Sequence, residues 1–295
     1  MKKILMLFTI GFVSLQSCNK TTTDEATNFK LNIGEEHNKY VEYIYENVDL
    51  KIESKEDLQK FTDESIQLLS KKIGLDYGLS ETEIKEVEKQ TSELIKNFFV
   101  SDGNFILESR KDNLHKYIKE NTSNLEFNYI LSIIHLSEQY IKPENIISEI
   151  EKIELKVNSD INLDNESKQK LIQMISVAKN SALYWGNYYP FWESKYSGNL
   201  EMINNVAFKN ILPATIPPRP NCPNGGSWHD PDCEWWEIVN TTYKSDFEGM
   251  VATVVGLWWT SGTPVGAGAV VTGGAISSAV TTVFMVMNCK GGGCY

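Results

Sequence analysis

The chain has 295 residues and a formal net charge of −11, with 39 acidic side chains against 28 Lys and Arg. This balance argues against a nucleic acid partner, because binding to a phosphate backbone requires clustered Lys and Arg. It also argues against attraction to an anionic lipid surface by charge. The length is enough for one large domain or two small ones.

The N-terminus has the layout of an export signal. Lys2 and Lys3 form a basic start, residues 4–13 are apolar, and small and polar residues lead to Cys18. The segment Leu15-Gln16-Ser17-Cys18 resembles the lipobox of bacterial lipoproteins, and the resemblance covers residues 1–18 only. It implies a signal peptide over residues 1–17, cleavage before Cys18, and membrane lipid attached to that cysteine.

The same resemblance implies a location in the cell envelope. Residue 19 is Asn rather than Asp, which implies sorting to the outer membrane, and residues 18–33 are interpreted as a lipidated tether. A plain secretory signal remains the alternative, with Cys18 as an ordinary first cysteine. An uncleaved membrane anchor is disfavoured, because the apolar run is too short to cross a hydrocarbon core of about 30 Å.

Residues 34–211 carry the pattern of an α-helical bundle. Ser54-x-x-Asp57 and Ser80-x-x-Glu83 resemble capping boxes, and apolar residues follow each at helical spacing. Pro143 and Asp164 suit the first turns of two later helices. The sequence therefore predicts a mainly α fold with about six helices joined by short loops. The aromatic run over residues 184–192 is expected to pack against the bundle or the tail.

Residues 212–246 are expected to form a linker and loop. Their proline-rich start, residues 213–223, favours an extended and semi-rigid chain. Trp228-His229-Asp230-Pro231-Asp232-Cys233 is the strongest metal-like cluster, and zinc is the alternative that it raises. The export signal favours disulfides instead, so the sequence predicts no metal site and no cofactor.

Four cysteines remain once Cys18 is set aside, and an even number in an exported chain indicates disulfides. We expect the local pairs Cys222–Cys233 and Cys289–Cys294, because each pair is close in sequence and flanked by turn residues. A long-range pair joining the end of the tail to the 222–233 loop remains the alternative.

The tail, residues 247–295, has no charged residue between Glu248 and Lys290. Two apolar arms flank a turn-like segment over residues 261–264, which predicts a helical hairpin. Small residues spaced by multiples of four allow close helix approach, and tryptophans at one end suit a membrane interface. These membrane-facing or helix-packing residues are Gly262, Gly266, Gly274, Ser278, Trp258 and Trp259.

Three interpretations of the tail remain open. Residues 247–287 insert into a membrane, or pack inside the protein as an element that is apolar all round, or form strands or self-associate. The tail also resembles bacteriocin-type peptides, which are glycine-rich, end in a disulfide and act on membranes. It departs from them in having a single lysine and a large acidic region upstream.

No catalytic motif is present, so no catalytic residue and no enzymatic activity are predicted. G-x-S-x-G and phosphate-binding glycine loops are missing from the sequence. His115 and His135 are interpreted as structural or surface residues, and His37 is placed only in the helical region. The sequence predicts an exported, lipid-anchored envelope protein whose glycine-rich tail associates with membrane. The alternative is an interaction or scaffold lipoprotein whose tail packs on its own bundle or on copies of itself.

Overall fold

The structure is a computed structural model. It describes residues 33–101, 104–105, 110–137, 143–197, 234–257 and 263–288. Helices make up nearly all of these residues, which confirms the mainly α fold class.

The described part of the chain contains nine helices and one pair of very short strands. In chain order they are α1 (Ile33–Asn47), α2 (Lys55–Asp76), α3 (Glu81–Phe99), β1 (Val100–Ser101), β2 (Asn104–Phe105), α4 (Arg110–Asn121), α5 (Asn124–Ser137), α6 (Pro143–Ser159), α7 (Asn165–Ser197), α8 (Glu234–Leu257) and α9 (Pro264–Asn288). Strands β1 and β2 pair antiparallel, with Val100 opposite Phe105.

Side-chain caps fix the predicted helix starts. The Ser54 hydroxyl accepts a hydrogen bond from the backbone N–H of Asp57 at 3.1 Å, directly before α2. Before α3, the Glu83 carboxylate accepts from the backbone N–H of Ser80 at 2.8 Å. The Asp164 carboxylate accepts from the N–H of Ser167 at 2.7 Å. Each bond satisfies a backbone donor that the first turn of a helix leaves unpaired.

Helix α7 is longer than the sequence pattern indicated, because it continues through the aromatic run and past Pro190. Near its end, the ammonium group of Lys195 donates to the backbone carbonyls of Tyr45 and Val48, the latter at 2.9 Å. These carbonyls lie at the C-terminus of α1, where a positive charge is favoured. At the other end of α1, a Cβ on Gly34 would lie 2.4 Å from the Ser176 carbonyl, so glycine permits close approach to α7.

Helix α9 is the innermost element of the described structure. Residues 266–283 are buried without interruption. The helix packs against α8, α3, α1, α2 and α7, while α4 and α5 pack on α8. A helix that is apolar all round is buried in this way in a protein core, or in a membrane.

Helices α8 and α9 pack directly on each other. Met250 lies beside Gly274, and Thr253 lies beside Gly273. Helix α8 begins at Glu234, so the linker and loop expected over residues 212–246 does not extend over residues 234–246. The loop was expected from the proline-rich start and turn residues of the segment, but its last part is helical, and Asp246 is accommodated inside the helix by buried partners.

The strand interpretation of the tail is wrong for the described residues, since the β-rich segments 251–255 and 280–284 are helical. Tertiary packing overrides the β preference of valine and threonine here. Threonine hydroxyls in this region donate to the carbonyl one turn earlier, as Thr272 does to Gly268 at 2.7 Å. This bond lets a polar side chain lie inside an apolar core.

Several predicted features lie outside the described residues, and their interpretation stays a prediction. They are the signal peptide and tether, Cys18, most of the 212–246 linker with its His229 cluster, Cys222, Cys233, Cys289, Cys294, Trp258, Trp259 and Gly262.

Candidate functional site

A buried polar junction joins four helices at the centre of the protein. His37 on α1 and Asp246 on α8 form an ion pair, with 3.0 Å between Nε2 and Oδ1, and both side chains are fully buried. The Ser278 hydroxyl on α9 lies 3.2 Å from the same Nε2. Trp185 on α7 donates its indole N–H to the other Asp246 oxygen at 2.7 Å. We call His37, Trp185, Asp246 and Ser278 the polar junction.

The protonation of His37 follows from its neighbours. The Asn38 amide nitrogen donates to the backbone carbonyl of Asn180 at 2.9 Å, which leaves the amide oxygen of Asn38 facing His37 Nδ1 at 3.0 Å. Nδ1 must therefore carry a proton. Since Nε2 faces a carboxylate oxygen, both ring nitrogens point at acceptors, which favours the imidazolium form.

The pKa values of the pair move in the directions that an ion pair requires. Burial acts to lower the pKa of His37, but the Asp246 carboxylate outweighs it and the pKa is raised above 6.5. Burial acts to raise the pKa of Asp246, but His37 and neighbouring hydroxyls outweigh it and the pKa is lowered below 3.8. Burial, and to a smaller extent the Asp246 charge, also raise the pKa of Tyr243 on α8.

The junction contains the residue types of a hydrolytic triad but not its geometry. In a triad, the carboxylate and the serine bind opposite nitrogens of the imidazole, so that a proton can pass from serine to the ring. Here Asp246 and Ser278 both face Nε2 of His37, and Nδ1 is occupied by Asn38. All three side chains of the apparent triad are fully buried. The arrangement supports helix–helix attachment rather than nucleophilic catalysis.

Two of the predicted packing residues, Gly274 and Ser278, lie at this junction. A Cβ on Gly274 would be 2.2 Å from the end of the Met250 side chain on α8 and 3.3 Å from the His37 ring on α1. Gly266 is also buried. Other glycines of α9 contact different helices. Gly268, for example, faces Ile73 on α2. The small residues therefore admit several helices around α9 rather than one.

Sequence reasoning missed the central pair. His37 was placed only in the helical region, and Asp246 fell at the end of the expected linker and loop. The available signal was an acidic residue at the edge of a long uncharged segment, because such a residue needs a buried partner if the helix continues through it. The expectation that the aromatic run packs against other elements agrees with the contact of Trp185 on Asp246.

Two further properties bear on function. Within the described ranges, no group of three or more His, Cys, Asp or Glu side chains is arranged to hold a metal ion. Among the helices in those ranges, one is long and apolar enough to cross a membrane, namely residues 264–287 of α9, with a mean hydropathy of 1.7. Its most apolar window is 83% buried inside the protein.

Comparison of the chain with protein-family models, with curated proteins and with solved structures found no match.

Proposed function

We propose that the chain is an exported, lipid-anchored protein of the cell envelope, without enzymatic activity, whose apolar helix α9 associates with membrane. The observation that carries the proposal is the composition of α9. Its 25 residues include no charged side chain and no leucine, and Gly, Ala, Ser, Thr and Val dominate. At 1.5 Å per residue such a helix exceeds the hydrocarbon thickness of about 30 Å.

Small side chains are the packing device of membrane helices, because they bring backbones close where lipid gives no hydrophobic drive for association. In water the same helix must be covered. The surrounding amphipathic helices provide that cover, with acidic and basic side chains on their outer faces. The proposal is therefore a stored helix: α9, with α8 beside it, lies among α1, α2, α3 and α7 until the two helices leave together and α9 enters a bilayer, in the cell's own envelope or in that of a neighbouring cell.

A disulfide between α2 and α9 tests whether α9 must leave its neighbours. A Cβ on Gly268 would lie 3.0 Å from Ile73 Cγ2, so side chains at these two positions touch, and Ile73→Cys with Gly268→Cys places two thiols side by side. The full chain is reconstituted on vesicles loaded with a self-quenched dye. Dye release is expected to stop in the oxidised double variant and to return on reduction.

Wild-type protein with and without reductant is the matched control, because its own cysteines also respond to reduction. Equal dye release from the oxidised and reduced double variant would contradict the stored-helix proposal. A lack of dye release from every form of the protein would also contradict the proposal, because α9 would then have no membrane activity to restrain.

The second candidate is a scaffold or interaction lipoprotein whose tail stays packed on its own helices. The fully buried pair of His37 and Asp246 favours it, because this pair attaches α8 to α1 in the protein interior. A scaffold of this kind leaves vesicles intact whatever the redox state of the engineered pair. The vesicle assay therefore separates the two candidates.

Lipidation is tested by the substitution Cys18→Ala. The lipobox-like segment predicts that wild-type protein is labelled by a radioactive or alkyne-bearing fatty acid, and that the variant loses the label and keeps its signal peptide. Gel fluorography and mass measurement of the N-terminus check both results. Label that persists in Cys18→Ala would show that the acyl chain, if present, is elsewhere. Cys233→Ala is the matched control and should keep full labelling.

A further inference from the structure

We infer that the polar junction is a latch: its buried ion pair, rather than the apolar packing around α9, sets how readily α8 and α9 separate from the rest of the protein. The inference rests on the stored-helix function proposed above. The latch has two halves, one on the helices that leave and one on the helices that stay. Asp246 and Ser278 belong to α8 and α9, while His37 and Trp185 belong to α1 and α7.

The apolar contacts of α9 discriminate weakly between protein and lipid. Gly268 faces Ile73 and Val87, and Gly273 faces Leu94. Hydrocarbon chains replace such neighbours at little cost, because lipid tails are as apolar as leucine side chains. Packing against α2 and α3 therefore keeps α9 from water but does not by itself keep it from a bilayer.

The junction discriminates strongly between the two environments. When α8 and α9 move away from α1, the Asp246 carboxylate loses both the His37 imidazolium and the Trp185 indole N–H. An isolated carboxylate is strongly disfavoured in hydrocarbon, and the His37 imidazolium loses its counter-ion. Both penalties arise only on separation, so they oppose it.

The latch is held in position from its α1 side. The Asn38 amide accepts from His37 Nδ1 and is itself fixed by donation to the Asn180 carbonyl on α7. Asn38 thereby orients the imidazole so that Nε2 points at Asp246 and Ser278. This positioning would be unnecessary for simple space filling.

The test uses the full chain in the vesicle assay. It compares a variant on the α1 half of the latch with a variant on the α8 half. His37→Gln removes the partner on α1 and leaves the carboxylate on α8, whereas Asp246→Asn removes the carboxylate itself. The latch predicts that both raise the rate of dye release by about tenfold or more. The Ile73→Cys, Gly268→Cys disulfide is expected to suppress this rise when oxidised.

The matched control is another buried ion pair that does not touch α9. Glu126 on α5 bonds Lys170 on α7 at 3.0 Å, with both side chains largely buried. Glu126→Gln weakens the fold without opening the junction, so dye release should stay at the wild-type rate. Thermal melts of all variants establish that they are folded at the assay temperature.

Each remaining outcome is decisive. A rise with Asp246→Asn alone overturns the latch, because it shows that only the cost of the charge in lipid matters. An equal rise with Glu126→Gln also overturns it, since general loosening then suffices. If His37→Gln leaves release unchanged while the disulfide still controls release, the latch fails and the stored-helix function stands. If no variant releases dye in either redox state, the function itself fails.

Discussion

Asp246→Asn is expected to lower the free energy of unfolding by about 3 kcal/mol near neutral pH, as removal of one partner from a buried ion pair does. The variant keeps the shape of the side chain and an oxygen for the Trp185 N–H. It loses the charge that compensates the fully buried His37 imidazolium. Equilibrium denaturation in urea measures the change.

The same substitution is expected to reverse the pH dependence that His37 imposes. In wild type, the pKa of His37 is raised above 6.5, so its stabilising contribution is complete below pH 6.5 and is lost as pH rises through the folded-state value. The pKa of Asp246 is lowered below 3.8, so its contribution is present above pH 3.8 and is lost as pH falls through its folded-state value. The pair is at full strength between these limits.

Without the carboxylate, burial becomes the largest influence on His37 and pulls its pKa below 6.5. The stability of Asp246→Asn should then rise as pH increases toward 6.5, where wild type is constant. Glu126→Gln is the control, and its loss of stability should not vary from about pH 5 to about pH 8 because Glu126 titrates below that range. A variant profile parallel to that of wild type would contradict the buried ion pair.

The helices could be predicted from the sequence because the residues that start them act locally. Ser54, Ser80 and Asp164 each cap a helix through a backbone N–H three residues ahead, so sequence spacing alone identifies the start. The apolar residues that follow repeat at the helical period, which indicates the buried face. Helix existence and fold class needed no knowledge of distant contacts.

The location of α9 was not readable in the same way. Its composition is the one expected of a membrane span and also of a core helix, because both are apolar all round. The deciding contacts come from residues far away in the chain, such as Ile73 and Leu94, which face its glycines. Hydropathy reports how apolar a helix is and not what covers it.

The polar junction was unreadable for a related reason. His37 and Ser278 are separated by 241 positions, and the small-residue spacing that includes Ser278 says nothing about His37. Asp246 ends the segment 212–246, which its proline-rich start marked as a linker and loop. Only the packing of α1, α7 and α8 around α9 turns three ordinary polar residues into one network.

Val270→Lys is expected to destabilise the whole protein by about 5 kcal/mol, because a fully buried lysine has its pKa lowered by several units at about 1.36 kcal/mol per unit. Val270 lies in the middle of α9 with 1% of its surface exposed. For a domain of this size the melting temperature should fall by about 10 °C or more. A thermal melt followed by circular dichroism measures the shift.

Ile161→Lys is the matched control, since it adds the same charge at a side chain that is 93% exposed. Its effect should stay within about 0.5 kcal/mol of wild type, as at most surface sites. The melt is compared with vesicle binding of the same proteins. A Val270→Lys protein that melts as wild type does but no longer binds vesicles would place Val270 against lipid rather than in the protein core, and would contradict the packed position of α9. A large fall in melting temperature for Val270→Lys alone supports that position, because only burial makes the charge costly.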